Sequence, residues 1–345
     1  MSTREERLAA LDAAIGERIL VLDGAMGTSI QARGLDEQDF RGGRFVDFPR
    51  RLTDNYDLLN ITQPQIVSEI HRAYLDADAD IIETNTFNST RIAQAGYRMG
   101  DLVAELNREG ARLAREAADE ATAADRSKPR WVAGVIGPTH ATASLSSEIG
   151  AGTMHSVSFD ELSDGYREAA SALVDGGVDV LLVETVFDTL SVEAALSAIA
   201  GLLADRAIRV PVMVSATTSA PARRTPAAAT PSGLTVEAFW NAVRDARPFS
   251  VGLNCSFGAH QLRPHLVELA SIADVAVSAH PNAGLPNELG EYEETPEITS
   301  RSVHGWAEDG LVNIVGGCCG TTPEHIRRIS ERVAGVKPRP LHRTS

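Results

Sequence analysis

Eight short apolar runs alternate along the chain with longer amphipathic segments. Most runs are rich in Val, Ile and Leu, and none shows sustained polar/apolar alternation, which is typical of strands buried on both faces. The predicted strands are Ile19–Asp23, Ala79–Thr84, Trp131–Gly137, Val178–Glu184, Pro211–Ala216, Ser250–Asn254, Val275–Ala279 and Val312–Gly316. The predicted helices are Pro64–Ala77, Asp101–Ala124, Phe159–Asp175, Val192–Asp205, Val236–Ala246, Leu262–Ser271, Thr299–Glu308 and Pro323–Val333.

This repeat of strand and helix predicts a parallel α/β fold. Eight units in sequence are typical of a (β/α)8 TIM barrel, whose active sites lie at the C-terminal ends of the strands. A doubly wound open sheet shares the local pattern, but the eight units and the lack of an early Gly-x-Gly-x-x-Gly motif favour the barrel. We expect a barrel domain over residues 1–335 and a tail over 336–345 that is a linker or a frayed end.

Three segments lie outside the regular repeat. The segment Arg4–Glu17 has a helical pattern and is expected to cover the bottom of the barrel. Gln31–Asp57 is a long polar segment predicted as a loop after the first strand, and Thr217–Gly233 is a second loop rich in Ala, Pro and Thr. Loops of this length are usually functional or mobile.

The net charge and the composition argue against some classes of binding partner. The chain has 345 residues and a net charge of −15, which argues against nucleic acid and anionic membranes as main partners. Its apolar runs are shorter than the roughly 18 residues of a membrane span, and its N-terminus has no secretory pattern. An odd number of cysteines, three, then suits a reducing cytoplasm.

Polar and glycine-rich clusters follow several of the predicted strands. Asp23–Thr28 follows the first strand, Glu83–Thr86 the second and Glu184–Thr185 the fourth. Asn254–Cys255 follows the sixth strand, and Gly316–Gly320 follows the eighth. Because the C-terminal ends of barrel strands converge on one face, we expect these clusters to meet there.

The three cysteines, Cys255, Cys318 and Cys319, all belong to these clusters. The alternative to a functional site is that the three cysteines are simply buried as apolar side chains, which is common for cysteine. Glycines on both sides of the adjacent pair favour a metal site instead, since glycine permits the tight backbone that turns both sulfurs to one point. Soft sulfur ligands select zinc over magnesium or calcium, and three protein ligands leave one position for substrate.

The charge of such a site indicates the substrate. Three thiolates on a divalent cation give a net charge of −1, a weak Lewis acid that can still deprotonate a fourth, nucleophilic thiol. The carboxylates of Asp23 and Glu184 suit a substrate ammonium group, and the backbone N–H groups of Gly24–Thr28 suit a carboxylate. A thiol-bearing amino acid that becomes alkylated on sulfur is the expected substrate.

With these motifs the chain resembles the zinc-dependent homocysteine S-methyltransferase family. It looks most like the N-terminal homocysteine-binding module of cobalamin-dependent methionine synthase. The resemblance runs from about Ile19 to Val333. The matching stretches are Leu22–Thr28, Asp80–Thr90, Gly137–Thr139, Glu184–Thr189, Gly252–Cys255, Pro281–Pro286 and Gly316–Pro323.

The resemblance implies a role for each matching site residue. Cys255, Cys318 and Cys319 would bind zinc, and the homocysteine sulfur would take the open position. Asp23 and Glu184 would bind its amino group, and the turn from Gly24 to Thr28 would receive its carboxylate. The residues assigned to homocysteine are Asp23, Gly24, Gly27, Thr28, Glu184 and Asn254. The product would be methionine.

The methyl donor stays open between two readings. The first is a split methionine synthase in which a separate cobalamin- and folate-binding chain supplies methylcobalamin, because no residues here remain to bind either cofactor. The second is a stand-alone enzyme that uses S-methylmethionine or betaine. A zinc- or thiol-binding regulatory protein is a third, non-enzymatic alternative. One departure from the family pattern is the proline-rich stretch Arg223–Gly233, which puts one wall of the mouth in doubt.

Overall fold

Eight parallel strands form a nearly closed barrel, in agreement with the predicted TIM barrel. A computed structural model describes residues 3–139, 157–217, 234–287 and 290–341. Neighbours along the chain from β2 to β8 pair in parallel, and β8 pairs with β1. The strands are β1 (Leu20–Val21), β2 (Ile81–Glu83), β3 (Trp131–Ile136), β4 (Val180–Val186), β5 (Val212–Ala216), β6 (Ser250–Gly258), β7 (Ala276–Asn282) and β8 (Ile314–Val315).

Helices connect the strands and surround the barrel. They are α1 (Arg4–Glu17), α2 (Met26–Gln31), α3 (Glu37–Arg41), α4 (Leu59–Thr62), α5 (Pro64–Asp76), α6 (Arg91–Gln94), α7 (Val103–Ala124), α8 (Phe159–Asp175), α9 (Thr189–Arg206), α10 (Val236–Val243), α11 (Ala259–Ile272), α12 (Pro296–Glu308) and α13 (Pro323–Val333). Short 3-10 turns lie at Tyr56–Leu58, Ala95–Tyr97, Gly100–Leu102 and Arg244–Ala246. In the part of the chain described, no helix is both long and apolar enough to span a membrane.

The barrel closes between its first two strands through a short contact. Leu22 forms a parallel bridge with Ile81, and the backbone N–H of Asp23 donates to the carbonyl of Ile81 at 3.0 Å. Inside the barrel, alternate residues of the strands pack against one another; Trp131, Val180 and Leu182 belong to this interior cluster. The interior is therefore a packed core, as barrels of this size require.

Helix α1 covers the N-terminal end of the barrel, as the sequence predicts. Its buried residues Leu8, Leu11 and Ile15 join the cluster of interior strand residues. The indole N–H of Trp131 donates to the carbonyl of Arg7 at 2.9 Å, which fixes the helix to β3. The helix thus closes the end of the barrel opposite the predicted active site.

The segment Gln31–Asp57 differs from the single loop that the sequence predicts, because it contains α3. Asp36 accepts hydrogen bonds from the backbone of Gln38 and Asp39, while the Asp39 side chain accepts one from the Asp36 backbone. This capping box stabilises a helix of five residues, which is too short for its sequence to show helical periodicity. The second predicted loop, Thr217–Gly233, lies outside the described residues apart from Thr217.

Strand bounds also differ from the pattern of apolar residues. Strand β6 continues past Asn254 to Gly258, because a bulge between these residues restores pairing with β7. The described part of the tail, expected to be a linker or a frayed end, packs on the barrel. Arg339 is buried, and its guanidinium donates to the carbonyl of Val275 at 3.0 Å. In neither place do the residues form a run of apolar side chains from which this order could be predicted.

Candidate active site

Three polar side chains point into the mouth of the barrel because alternate residues of a strand face its interior. Glu83 lies two residues beyond the interior residue Ile81, and Glu184 lies two beyond Leu182. His280 lies four residues beyond the interior residue Ala276 on β7. Because side chains at even spacing share one face of a strand, the interior-facing row of each of these three strands leads to an ionisable group at the C-terminal end.

The three cysteines meet at this end of the barrel, as their positions after the sixth and eighth apolar runs predict. The Sγ atoms of Cys255 and Cys319 lie 3.8 Å apart, and all three Sγ atoms lie within 4.8 Å of one another. Each cysteine is partly exposed and none forms a disulfide. The cluster can therefore be reached from the solvent-facing side.

Tight backbone around Cys318 and Cys319 explains the glycines that flank them. A Cβ atom on Gly317 would lie 2.4 Å from the Thr321 hydroxyl oxygen, and Gly320 has a φ of +78° and no room for a side chain against Tyr292. The Cys318 N–H donates to the carbonyl of Pro281 at 2.8 Å. Glycine is thus needed to hold the adjacent cysteines against β7.

The third sulfur is placed by a strained stretch of β6. Cys255 and Ser256 have φ angles of +61° and +59°, which non-glycine residues rarely adopt, and Thr185 on β4 has +57°. Asn254 joins the two strands. Its side-chain oxygen accepts from the Thr185 N–H at 3.0 Å, and its amide nitrogen donates to Glu184 at 3.2 Å. Backbone strain supported in this way is typical of functional sites.

The electrostatics of the three sulfurs suit a cation. Hydrogen bonds from Cys255 and Cys318 lower the pKa of the Cys319 thiol to about 3, and the matching bonds raise the pKa of Cys318. Tyr292, which lines the same cavity, also hydrogen-bonds to Cys319. The Cys319 sulfur therefore loses its proton readily and lies beside the other two sulfurs. A soft divalent metal would bind all three sulfurs and displace the remaining protons.

Three neighbouring carboxyl groups lie at the same end of the barrel as the sulfurs. Burial raises the pKa of Asp23, and the neighbouring Glu184 raises it further. Burial likewise raises the pKa of Glu83, while burial and the nearby Cys255 raise that of Glu184 to about 8. Asp23 accepts a hydrogen bond from the Glu83 N–H at 3.0 Å, which fixes one of its oxygens. These groups favour a bound cation over water as their neighbour.

Four of the six residues predicted to bind substrate, Gly24, Gly27, Thr28 and Glu184, line one cavity of about 500 Å3. The stretch Gly24–Thr28 forms one wall, but the predicted turn passes into helix α2 at Met26. The Thr28 hydroxyl accepts from the Gly320 N–H at 3.0 Å, which joins this wall to the cysteine loop. Three site residues received no separate role from the sequence: Glu83, His280, and Tyr292 in an irregular segment. Their only signal was a position near other polar residues.

Asp23 and Asn254 lie beneath the cavity wall. Both are buried, and Asn254 reaches the cavity through Glu184, to which it donates a hydrogen bond. The structure therefore brings together all the residues that the sequence selected: the three cysteines, the two acids Asp23 and Glu184, the glycine-rich wall and Asn254.

Comparison with known proteins identifies the family to which the sequence is similar. The sequence model of the family described as "Homocysteine S-methyltransferase" matches residues 20–333. Two similar solved structures are the metallated and oxidized forms of the homocysteine methyltransferase MmuM from Escherichia coli. The metallated form is 22% identical, with a TM-score of 0.67, and the match covers 94% of this chain and 98% of that one. The oxidized form is 21% identical, with a TM-score of 0.69, covering 96% and 100%.

Structural similarity at these identities supports the shared barrel fold. The family match, in contrast, covers almost the whole chain and includes every strand of the barrel. The chain therefore belongs to the homocysteine S-methyltransferase family, and it is a methyltransferase.

Proposed function

We propose that this protein transfers a methyl group to the sulfur of homocysteine and releases methionine. The observation that carries the proposal is the cluster of three cysteine sulfurs within 4.8 Å of one another, beside the carboxyl groups of Glu83 and Glu184 on one cavity. Sulfur ligands suit a thiol substrate, and carboxylates suit an amino acid. Few other substrate classes would use both halves of the site.

Zinc is the metal that we propose for Cys255, Cys318 and Cys319. The fit rests on the donor set, which is all sulfur, partly exposed and free of disulfides. Bound zinc would supply the positive charge that keeps a substrate thiol deprotonated and nucleophilic at neutral pH. Free thiols at the site also favour a reducing compartment such as the cytoplasm.

The protein's own residues would orient homocysteine on the cavity floor. We propose that Asp23 and Glu184 bind its ammonium group, Glu184 from the cavity wall and Asp23 as a buried carboxyl group behind that wall. Its carboxylate would lie against the backbone of Gly24–Thr28, with Gly24, Gly27 and Thr28 as the closest positions. Asn254 holds Glu184 in place through a hydrogen bond of 3.2 Å. With both ends held, the side-chain sulfur extends toward the cysteines, and this positioning removes much of the entropic cost of the reaction.

Methyl transfer would then be a direct displacement. The homocysteine sulfur forms a bond to the methyl carbon with its own electron pair, while the bond between that carbon and the donor breaks and its electrons leave with the donor. We infer methylcobalamin carried by a separate cobalamin- and folate-binding chain as the donor. The support is the resemblance of the motifs to the homocysteine module of cobalamin-dependent methionine synthase.

One feature of the cavity favours a second candidate donor. Tyr56, Phe87 and Tyr292 line its wall, and aromatic faces attract onium groups such as those of S-methylmethionine or betaine. A stand-alone enzyme would use such a donor without a partner chain.

An assay with single donors separates the two candidates. Zinc-loaded protein is incubated with homocysteine and either methylcobalamin, S-methylmethionine or betaine, and methionine is measured by mass spectrometry. We expect methionine with methylcobalamin and none above background with the other two. Turnover with S-methylmethionine or betaine alone would exclude the split-synthase proposal, and no methionine with any donor would contradict methyl transfer to homocysteine.

A further inference from the structure

We infer that Glu83 and His280 bind the substrate's ammonium group, and so determine selectivity for an amino acid over a plain thiol acid. The inference rests on the proposed function, because it assigns two further residues to the homocysteine site. It concerns a part of the cavity next to the sulfurs, formed by the ends of β2, β4 and β7.

Geometry places the three side chains around one point. A carboxylate oxygen of Glu83, one of Glu184 and a ring nitrogen of His280 all lie within 4.8 Å of one another. The same three residues line the cavity that contains the cysteines. An ammonium group has three N–H donors and no acceptor, so three acceptors from three different strands match its hydrogen-bonding needs.

The hydrogen bonds of His280 also indicate a missing ligand. The residue is 1% exposed, and neither ring nitrogen has a hydrogen-bond partner among the described residues. Burial lowers its pKa to about 4, so the ring is neutral and has one nitrogen that accepts a hydrogen bond. A buried polar side chain without a partner costs free energy, and a substrate donor at this point would remove that cost.

The local charge is consistent with a cation. Burial raises the pKa of Glu83, Glu184 and Asp23, and the charge of Glu184 raises the pKa of the other two further. None of the three forms an ion pair within the described parts of the chain. Asp23 in addition has one buried oxygen with no hydrogen-bond partner there. A bound ammonium would relieve this repulsion, whereas an uncharged group would not.

Binding experiments with a matched pair of ligands test the inference. Homocysteine and 4-mercaptobutanoate differ only by the amino group, and both are titrated into zinc-loaded protein by calorimetry. For Glu83→Gln we expect homocysteine affinity to fall about 10- to 100-fold, since a charge-assisted hydrogen bond is lost, with less than about a 3-fold change for 4-mercaptobutanoate. For His280→Leu we expect a smaller selective loss, which His280→Asn partly restores.

Controls distinguish binding from damage to the fold. Asp57→Asn removes another buried acid on the same cavity wall, one held by the Asn88 N–H and the Ser89 hydroxyl, and it should leave the affinity ratio of the two ligands unchanged. Zinc content and retained binding of 4-mercaptobutanoate show that each variant is folded.

Three results would overturn the inference. Equal loss of both ligands in Glu83→Gln would indicate a structural role, and an unchanged ratio in both Glu83→Gln and His280→Leu would place the ammonium elsewhere. A second zinc ion that wild type holds and Glu83→Gln loses would show that the three side chains bind metal. Failure of the proposed function has a different signature: wild type would bind homocysteine with the expected selectivity but form no methionine.

Discussion

The two ends of the barrel use buried acids in opposite ways. At the N-terminal end, Asp179 is fully buried and forms ion pairs of 2.6 Å with both Arg7 and Arg115. Asp80 is equally buried and pairs with Arg18 at 2.6 Å. Each of these two acids also accepts a backbone N–H. At the C-terminal end, by contrast, the neighbouring acids Asp23, Glu83 and Glu184 have no ion pair among the described residues.

The contrast occurs within single strands. Asp80 precedes β2 and Glu83 ends it, while Asp179 precedes β4 and Glu184 lies near its C-terminal end. Each strand thus carries one acid that forms an ion pair with an arginine of this chain and one acid that has no cationic partner among the described residues. Since buried charges require compensation, the uncompensated acids mark the place where a ligand belongs. The degree of burial alone would not distinguish the ion-paired acids at the N-terminal end from the unpaired acids at the C-terminal end.

The largest expected effect lies at the C-terminal end, in Cys255→Ala. Removal of one sulfur should lower the zinc content and slow methionine formation by at least about 1,000-fold, equivalent to about 4 kcal/mol of activation free energy. Zinc is measured by elemental analysis and methionine by mass spectrometry. Ser256→Ala, at the next strained position, is the matched control and should keep its zinc. A Cys255→Ala protein with full zinc content and activity would remove this cysteine from the site.

At the N-terminal end, Asp179→Asn should act on stability instead. It leaves the guanidinium groups of Arg7 and Arg115 without their shared partner, and loss of one member of a buried ion pair costs about 3–5 kcal/mol of unfolding free energy. Urea denaturation measures the change. Asp205→Asn, which breaks an exposed pair with Arg167, should cost less than about 1 kcal/mol. Equal stability of the two variants would contradict the claim that buried acids at the N-terminal end stabilise the fold through their ion pairs.

Glu184→Gln is the counterpart at the C-terminal end and should change stability by less than Asp179→Asn does, with opposite sign. The raised pKa of about 8 means that native Glu184 holds a proton up to that pH, while the unfolded carboxyl loses it near pH 4. Stability therefore falls as pH rises from about 4 to 8, and glutamine removes that loss. In zinc-free protein near pH 7 we expect a gain of about 1–3 kcal/mol in unfolding free energy.

The same variant separates stability from binding. Homocysteine affinity of zinc-loaded Glu184→Gln should fall about 10-fold or more, because glutamine cannot ionise, whereas a bound ammonium group favours the ionised form of Glu184. A variant that is less stable in urea denaturation, or that binds homocysteine as tightly as wild type, would show that Glu184 has a compensated, structural role like that of Asp179.

Much of the fold could be predicted from the sequence because the barrel depends on local patterns. Eight apolar runs separated by amphipathic segments indicate buried parallel strands, and the position of Cys255 after the sixth run and of Cys318 and Cys319 after the eighth implies that they meet. Asp23 and Glu184 were found in the same way, as acids at strand ends. These inferences need only chain order and the convergence of strand ends.

The remaining features depend on three-dimensional contacts. Nothing in the pattern distinguishes Asp80, which is paired with Arg18, from Glu83, which is not, because the partner comes from a distant part of the chain. His280 lies within a buried strand, and its lack of a hydrogen-bond partner is visible only in the packed structure. Arg339 was predicted to lie in a frayed tail because the contacts that bury it are long-range.

The most direct test of the central claim is X-ray absorption at the zinc edge, with and without homocysteine. We predict zinc bound by three sulfur atoms at about 2.3 Å in the free protein, and by four sulfur atoms once homocysteine is added. Cys255, Cys318 and Cys319 would supply the first three and the substrate the fourth. An absence of zinc, or a sulfur count that homocysteine does not change, would contradict the account.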